Sequence, residues 1–262
     1  MNNRTKNEYV ISLNESETLA SLNTIFSAVS ILRTRLPYEE STVALLTQIE
    51  KSCYSLCSTS TRSFTELRHL AGKTPYLPAI FTFGELFSDI KEALFGVGVY
   101  PRISVKAETN TIVCDREKFS RALLSVIASA LVLNPETEVK IEISDDEESV
   151  FITLFLFNLT IKPEAVKYLN STTDDVLNTV FDMPPIASNL VYTKIVADIH
   201  KGSFTVETDE DGGYTAATFK IPKKSGYPMK TVKENRKFIA SLNMTAREEF
   251  ETVKKFIIKD EE

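Results

Sequence analysis

The sequence has few of the residues that form covalent cross-links or metal sites. It contains three cysteines, Cys53, Cys57 and Cys114, and two histidines among 262 residues. An odd number of cysteines without close pairs does not indicate a disulfide framework. Cys53 and Cys57 are one helical turn apart, but no histidine or further cysteine lies nearby to complete a metal site. We therefore predict small, buried, reduced cysteines, no metal and no cofactor, in a cytoplasmic protein.

Long apolar runs are also absent. No run approaches the ~20 apolar residues that a membrane-spanning helix needs, and the first residues, MNNRTKNEY, lack the apolar region of a signal peptide. The formal net charge of −6 argues against nucleic acid as a partner. The locally basic stretch Lys223–Lys237 is interpreted as a solvated linker in preference to a phosphate-binding patch. We expect no membrane and no nucleic-acid partner.

Two long amphipathic segments open the chain. Apolar residues recur with heptad spacing between Ser16 and Leu36, and a second stripe follows from Glu39 to Leu70. The pattern predicts an antiparallel helical hairpin over residues 16–72, preceded by a frayed or extended lead over residues 1–15. Because apolar positions occupy more than one face of the hairpin, we expect two copies to associate through residues 16–72 into a dimeric four-helix bundle.

The pattern changes to mixed α/β over residues 73–222, after a short segment with two prolines. Helical spacing is predicted at 82–95, 115–133, 162–169 and 189–200, and a loop or short helix at 172–180. Strands are predicted at 103–107, 111–114, 138–144, 150–157, 203–208 and 215–221. Residues 223–262 form a linker and an amphipathic helix, Met244–Lys259, that packs either on the rest of the chain or on a partner.

Three segments carry a resemblance to a known family. They are DREKFSRALLSVIASAL, IVADIHKGSFTVET and GGYTAATFKIP, in that order. They resemble the asparagine-bearing helix, the helix and strand after the glycine-rich lid, and the final hairpin of the ATP-binding domain of sensor histidine kinases. That domain type is shared with gyrase and the Hsp90 chaperone. The resemblance covers about residues 16–222 and implies an α+β fold: a dimerising helical hairpin followed by an α/β sandwich of the histidine kinase ATPase type.

The family's nucleotide-binding positions fall on residues of different chemistry. Serines replace two asparagines, one of which holds magnesium in the family, and a serine hydroxyl offers no amide carbonyl to the ion. Leu156 replaces the aspartate that accepts a hydrogen bond from adenine, and leucine accepts none. Larger residues replace glycines of the D-x-G-x-G motif and of the lid, where backbone amides approach phosphate. The degenerate positions are Ser125, Ser129, Leu156, Asn158, Thr160, Ala187 and Asn189.

The phosphoacceptor histidine of the family falls on Asn23, whose amide is neither nucleophilic nor titratable near neutral pH. His69 lies at the end of a predicted helix, and His200 matches a structural histidine of the family. The resemblance also implies that receiver domains of response regulators dock on the first hairpin helix. The candidate contact residues here are Thr24, Ser27 and Ser30.

The sequence therefore favours a catalytically degenerate histidine-kinase-like protein that binds a response regulator or a kinase partner. Leu156 and Phe157 are expected to fill the space that adenine would occupy. The alternative is an active phosphotransferase or nucleotide-binding enzyme with non-standard residues, for which the available acids are Asp115, Asp174, Asp175 and Asp182. A third possibility is a binding module whose active element is the helix Met244–Lys259.

Overall fold

The computed structural model of the protein describes residues 3–36, 39–173, 185–224 and 244–250, with the backbone alone for residues 3–10 and 185–188. The chain forms two compact units. Unit 1 contains residues 1–74 and the C-terminal residues from Arg247 onward, and unit 2 contains residues 75–246. The end of the predicted hairpin, residue 72, lies within two residues of the boundary between them.

Unit 1 is built on two long antiparallel helices, α1 (Asn3–Arg35) and α2 (Glu40–Leu70). Leu22 of α1 packs with Cys53 and Cys57 of α2 in a buried cluster. Arg33, the polar interruption of the heptad pattern, pairs with Glu50 at 2.7 Å. After α2, the chain turns through Gly72 at φ +66°, a left-handed conformation that glycine adopts without strain. The hairpin is confirmed, but the expectation of a frayed or extended lead over residues 1–15 is wrong from residue 3 onward, because α1 already begins at Asn3.

The hairpin carries exposed apolar residues along one side. In both helices several of them follow an inward residue by three positions, as Ile25 follows Leu22 and Leu56 follows Cys53. Because the helices run antiparallel, the same angular offset places both exposed stripes on the same side of the hairpin. We call this the apolar face. Its members, between 41% and 66% exposed, are Ile25, Leu32, Leu45, Ile49, Leu56, Leu67 and Leu70.

Unit 2 is an α/β structure around a five-stranded sheet. Its strands are β2 (Arg102–Val105), β4 (Glu138–Asp145), β5 (Ser149–Phe157), β6 (Ser203–Asp209) and β7 (Tyr214–Pro222), in the order β2-β4-β5-β7-β6. β2 and β4 are parallel and the other pairs are antiparallel. A separate two-stranded sheet pairs β1 (Ala79–Thr82) with β3 (Thr111–Cys114). The helices are α3 (Phe83–Phe95), α4 (Arg116–Leu133), α5 (Pro163–Leu169) and α6 (Pro185–Ile199).

One face of the large sheet forms the core of unit 2. Alternate residues of β4, β5 and β7, such as Ile141, Leu154 and Phe219, are completely buried, as the two-residue period of a strand requires when one face is covered. Helices α4 and α6 pack against each other, and α6 contacts β6 and β7. The fold class predicted from the sequence is confirmed, whereas β1 was not predicted because its four residues lie between Pro78 and the start of α3.

Candidate functional site

Helix α4 passes through the interior of unit 2. Its N-cap residue, Asp115, accepts hydrogen bonds from the backbone amides of Lys118 and Leu77 at 3.3 and 3.1 Å. From Phe119 to Ala130 every residue of the helix is buried. Ser125 and Ser129 therefore point into protein and not into an open cleft. Asp115, an acid considered for an altered chemistry, serves as a helix cap and also pairs with the Lys118 ammonium at 2.8 Å.

Two of the degenerate positions, Asn189 and Ser129, are joined by their side chains in a hydrogen-bonded chain that ends on the backbone carbonyl of Ser125. The side-chain amide of Asn189, on α6, donates to the Ser129 hydroxyl at 2.9 Å, and that hydroxyl donates to the backbone carbonyl of Ser125 at 2.8 Å. Asn189 and Ser129 are each 3% exposed. Their polar groups thus join α6 to α4 inside the protein. The resemblance places Asn189 at a glycine of the nucleotide lid, but its side chain is directed at Ser129 and not toward a ligand.

Leu156 lies beside this chain, in the wall of a small apolar cavity of about 30 Å³. This volume accommodates about one water molecule, whereas small-molecule sites are usually roughly 300–1,000 Å³. That Leu156 fills the space of adenine stays a prediction. The cavity is lined by residues of α4, β5–β7, α5 and α6, among them Val126, Ser129, Leu156, Leu169, Leu190 and Ala217.

Phe157 does not fill the cavity, and its predicted role there is wrong. Because successive strand residues point to opposite faces of a sheet, Phe157 lies on the other face from Leu156. Its ring centroid is 6.3 Å from that of Phe155 and 5.8 Å from that of Tyr214. These three rings form an aromatic cluster on the partly exposed face of the sheet.

Thr215 is a residue of this site that the sequence interpretation missed. It is completely buried and lies opposite Leu156 in the β5–β7 register. Its hydroxyl donates to the Leu159 carbonyl at 2.8 Å and lies 3.1 Å from the Thr208 hydroxyl. The sequence feature that could have indicated Thr215 is its position near the start of the strand in GGYTAATFKIP. There a polar residue interrupts an otherwise apolar strand.

The D-x-G-x-G positions lie at the end of β5. Asn158 has φ +64°, a left-handed conformation that asparagine adopts more readily than most residues. Its backbone amide donates to the Gly213 carbonyl at 2.9 Å, so the asparagine keeps the glycine-like turn. Asn158 and Thr160 are exposed, and neither faces the cavity.

The lid positions are only partly described. Helix α6 begins at Pro185, so the backbone of Ala187 is helical and the helix starts earlier than the predicted residue 189. Residues 174–184, including Asp174, Asp175 and Asp182, lie outside the described residues, as do residues 174–180 of the predicted loop.

His200 is a buried structural residue at the end of α6. Its Nδ1 donates to the Val196 carbonyl at 2.7 Å, and its Nε2 accepts from the Asp115 backbone amide at 2.9 Å. Since both ring nitrogens are engaged in the neutral form, a second proton would break the Nε2 bond. Burial lowers the pKa of His200 below its usual value, although the Val196 hydrogen bond and Asp115 partly oppose this.

The phosphoacceptor position lies on the hairpin and not in unit 2. Asn23, Thr24, Ser27 and Ser30 are exposed on α1. The Thr24 and Ser27 hydroxyls donate to the carbonyls four residues earlier, at 3.0 and 2.8 Å. None of these four side chains can form a phosphoramidate. Within the described residues no cluster of three or more histidine, cysteine or acidic side chains offers a metal site.

Within the described ranges, no helix is both long enough and apolar enough to cross a bilayer.

Neither a protein-family model nor a curated protein matches the sequence. Solved structures do match the fold. The histidine kinase AdeS of Acinetobacter baumannii is 14% identical, with a TM-score of 0.53 over 79% of this chain and 96% of AdeS. This chain has the fold of a histidine kinase core.

Two further histidine kinase structures support this assignment of fold. Full-length ShkA, in complex with AMPPNP, is 15% identical with a TM-score of 0.65, over 84% of this chain and 47% of ShkA. ThkA, in complex with the response regulator TrrA, is 15% identical with a TM-score of 0.51, over 84% of this chain and 64% of ThkA. This chain thus spans about half the length of ShkA and less than two thirds of ThkA.

Proposed function

We propose that this protein is a histidine-kinase-like regulator of two-component type that neither binds ATP nor phosphorylates itself. Its histidine kinase fold supplies the two-component context, and its activity is binding. The proposal rests on how the residues at the family's nucleotide-binding positions are buried and hydrogen-bonded. The side chains of Asn189 and Ser129 are hydrogen-bonded to each other in the interior, Ser125 is completely buried, and Leu156 borders a cavity of about 30 Å³.

Nucleotide binding would have to disrupt this packing. Adenine would leave its amino group without an acceptor at Leu156, at a cost on the order of 1–3 kcal/mol for one buried unmade hydrogen bond. It would also have to separate Asn189 from Ser129. No compensating magnesium ligand is present at Ser125 or Ser129, since hydroxyls are weaker ligands than the amide carbonyls they replace.

Isothermal titration with ATP and magnesium tests the first half of the proposal. We expect no measurable heat of binding at millimolar ATP, and no transfer of label from γ-labelled ATP to the protein. A nucleotide-binding histidine kinase measured in the same buffer serves as the positive control. Micromolar affinity for ATP, or a labelled residue, would refute the proposal.

The second half concerns the partner. We propose that a receiver domain of a response regulator docks on the exposed surface of α1 around Asn23, Thr24 and Ser27. A solved relative of the same fold, ThkA, is held in complex with the response regulator TrrA. Exposed small polar residues on a rigid helix permit close approach of another domain without leaving a buried charge unpaired.

Thr24→Arg and Ser27→Arg test this docking surface. Each substitution places a long cation in the proposed contact, and we expect binding of a cognate receiver domain to weaken by about tenfold or more. Leu13→Arg, at another exposed position of α1, is the matched control and should leave the affinity unchanged. Equal effects of all three substitutions would place the receiver domain elsewhere.

A further inference from the structure

Unit 1 contains a buried ion pair that joins its helical hairpin to the C-terminal part of the chain. Glu249 forms a salt bridge with Arg62 of α2 and accepts a hydrogen bond from the Ser58 hydroxyl at 2.9 Å. The side chains of Arg62 and Glu249 are 4% and 0% exposed. Phe250, the next residue, is also buried. The contact spans 187 positions of the sequence. It shows that the predicted helix Met244–Lys259 packs on the chain itself at Glu249, whereas its residues 251–259 lie outside the described residues.

The α2 surface under Glu249 has the composition of a recognition site and not of a core. Its members, Ser58 and Arg62, are polar and lie one turn apart on one side of the helix. With Glu249 removed, both side chains would be hydrated at little cost, since a serine and an arginine on an exposed helix are ordinary. The occupied state, in contrast, requires two charges to be taken out of water, which an ion pair only partly offsets.

One buried polar atom of the ion pair, Nε of Arg62, has no hydrogen-bond partner among the described residues, and the same is true of Oε1 of Glu66, one turn further along α2. Burial raises the pKa of Glu66, partly opposed by Arg62. Water would satisfy Nε of Arg62 if the C-terminal segment left, and this favours release. An interface with unsatisfied polar atoms resembles a reversible contact more than a permanent one.

We propose that Ser58 and Arg62 form a binding site for a glutamate carried on an amphipathic helical segment, and that the C-terminal segment around Glu249 is its resident, exchangeable ligand. The arginine supplies charge and the serine a directional donor, which together distinguish a carboxylate from a neutral side chain. Phe250 adds an apolar anchor beside it. Release of the segment uncovers the polar side chains of Ser58 and Arg62 on α2.

This site is separate from the apolar face of the hairpin. Ser58 follows Leu56 by two residues, about 200° around the helix, so the two lie on nearly opposite sides of α2. Occupation of the site by the C-terminal segment therefore leaves the apolar face uncovered. The proposal is also independent of whether the protein binds ATP, because neither Ser58 nor Arg62 belongs to unit 2.

A labelled peptide of residues 244–262 tests the site in the full-length protein, by fluorescence anisotropy. In the wild-type chain the tethered segment competes at an effective concentration in the millimolar range, so the peptide should bind weakly. The Glu249→Gln chain has a weakened resident ligand, and we expect it to bind the wild-type peptide about tenfold more tightly or better. Adding Arg62→Gln to that chain should reduce the affinity by about 100-fold.

Arg68→Gln in the Glu249→Gln chain is the matched control. Arg68 is on the same helix and pairs with Glu15 of α1, so its loss should leave peptide binding unchanged. A pair with exchanged charges tests whether a loss of binding is caused by misfolding. The Arg62→Glu chain should bind a peptide that carries Glu249→Arg and should not bind the wild-type peptide. The proposal is overturned if the Glu249→Gln chain gains no affinity for the peptide. It is equally overturned if Arg62→Gln and Arg68→Gln behave alike.

Discussion

At the scale of single residues, Leu156 offers a test of the proposed loss of nucleotide binding. The resemblance to histidine kinases implies an aspartate at this position, whereas this chain has a buried leucine that lines a cavity with residues of α4, α6 and β7. Restoring the acid would bury a carboxylate in an apolar cavity wall. We expect Leu156→Asp to lower the free energy of unfolding by about 3 kcal/mol or more, measured by urea denaturation, without creating ATP binding.

Leu156→Met is the control for this substitution, since it conserves volume and should cost less than about 1.5 kcal/mol. A stable Leu156→Asp protein with ATP affinity would contradict the expected cost of the buried charge. It would also contradict the proposed loss of nucleotide binding.

His200 predicts a dependence of stability on pH. Its pKa in the folded protein is lowered by burial, so the unfolded chain binds the proton more readily. The stability contribution is therefore fully present above the unfolded pKa of about 6.5 and is lost as pH falls toward the folded pKa. The free energy of unfolding should decrease between pH 7.5 and 5.5 by up to about 1.4 kcal/mol per pH unit.

Substitution separates His200 from the other histidine. His200→Gln, which does not titrate, should be less stable at pH 7.5 but should lose most of this pH dependence. His69→Gln, on the hairpin, should keep the wild-type profile. An unchanged slope in His200→Gln would show that another group titrates in this range.

At the scale of elements, the apolar face of the hairpin favours the homodimer that the sequence predicts, which we propose as the assembly of this protein. Seven exposed large apolar residues on one side of two adjacent helices are more than single, scattered surface leucines would give. Two such faces would complete a four-helix core. We expect a dimer in analytical ultracentrifugation, and we expect Leu32→Glu or Leu56→Glu to raise its dissociation constant by about 100-fold or more by burying an unpaired charge.

Ala20→Glu is the control for dimerisation, because Ala20 is exposed on the other side of α1. It should leave the dissociation constant unchanged. A wild-type monomer at micromolar concentration would remove the four-helix bundle from the proposal.

Elements also show where prediction from sequence succeeds and fails. Helix α4 and strand β5 were predicted nearly to their ends because their apolar periods are strong. The first turns of α1 were missed because residues 3–15 are mostly polar, and polar sequence gives no periodic signal. Phe157 was misplaced although a strand's two-residue period separates it from Leu156. The Arg62–Glu249 contact could not be predicted, since no local pattern links residues 187 positions apart.

At the scale of the whole molecule, the three cysteines report on the two units separately. Cys53 and Cys57 are buried in unit 1 and Cys114 in unit 2, where burial raises the pKa of the Cys114 thiol. We expect no thiol to react in the native protein on the timescale of minutes, because buried, protonated thiols are poor nucleophiles. Modification should then follow local opening of each unit.

Mass spectrometry of peptides after alkylation over hours distinguishes these openings. We expect Cys53 and Cys57 to react at one rate and Cys114 at another. A single rate for all three thiols would mean that the whole chain opens as one cooperative unit. Rapid reaction of Cys114 would contradict its complete burial.

The hydrogen-bonded chain from Asn189 through Ser129 to Ser125 has a consequence for how such a protein can change over generations. Asn189 donates to the Ser129 hydroxyl, whereas Ser125 contributes to this chain only a backbone carbonyl that any residue would supply. A replacement of Ser129 that cannot accept this hydrogen bond should therefore cost stability unless Asn189 changes as well. If the protein has lost nucleotide binding as we propose, its return would require these two positions to change together.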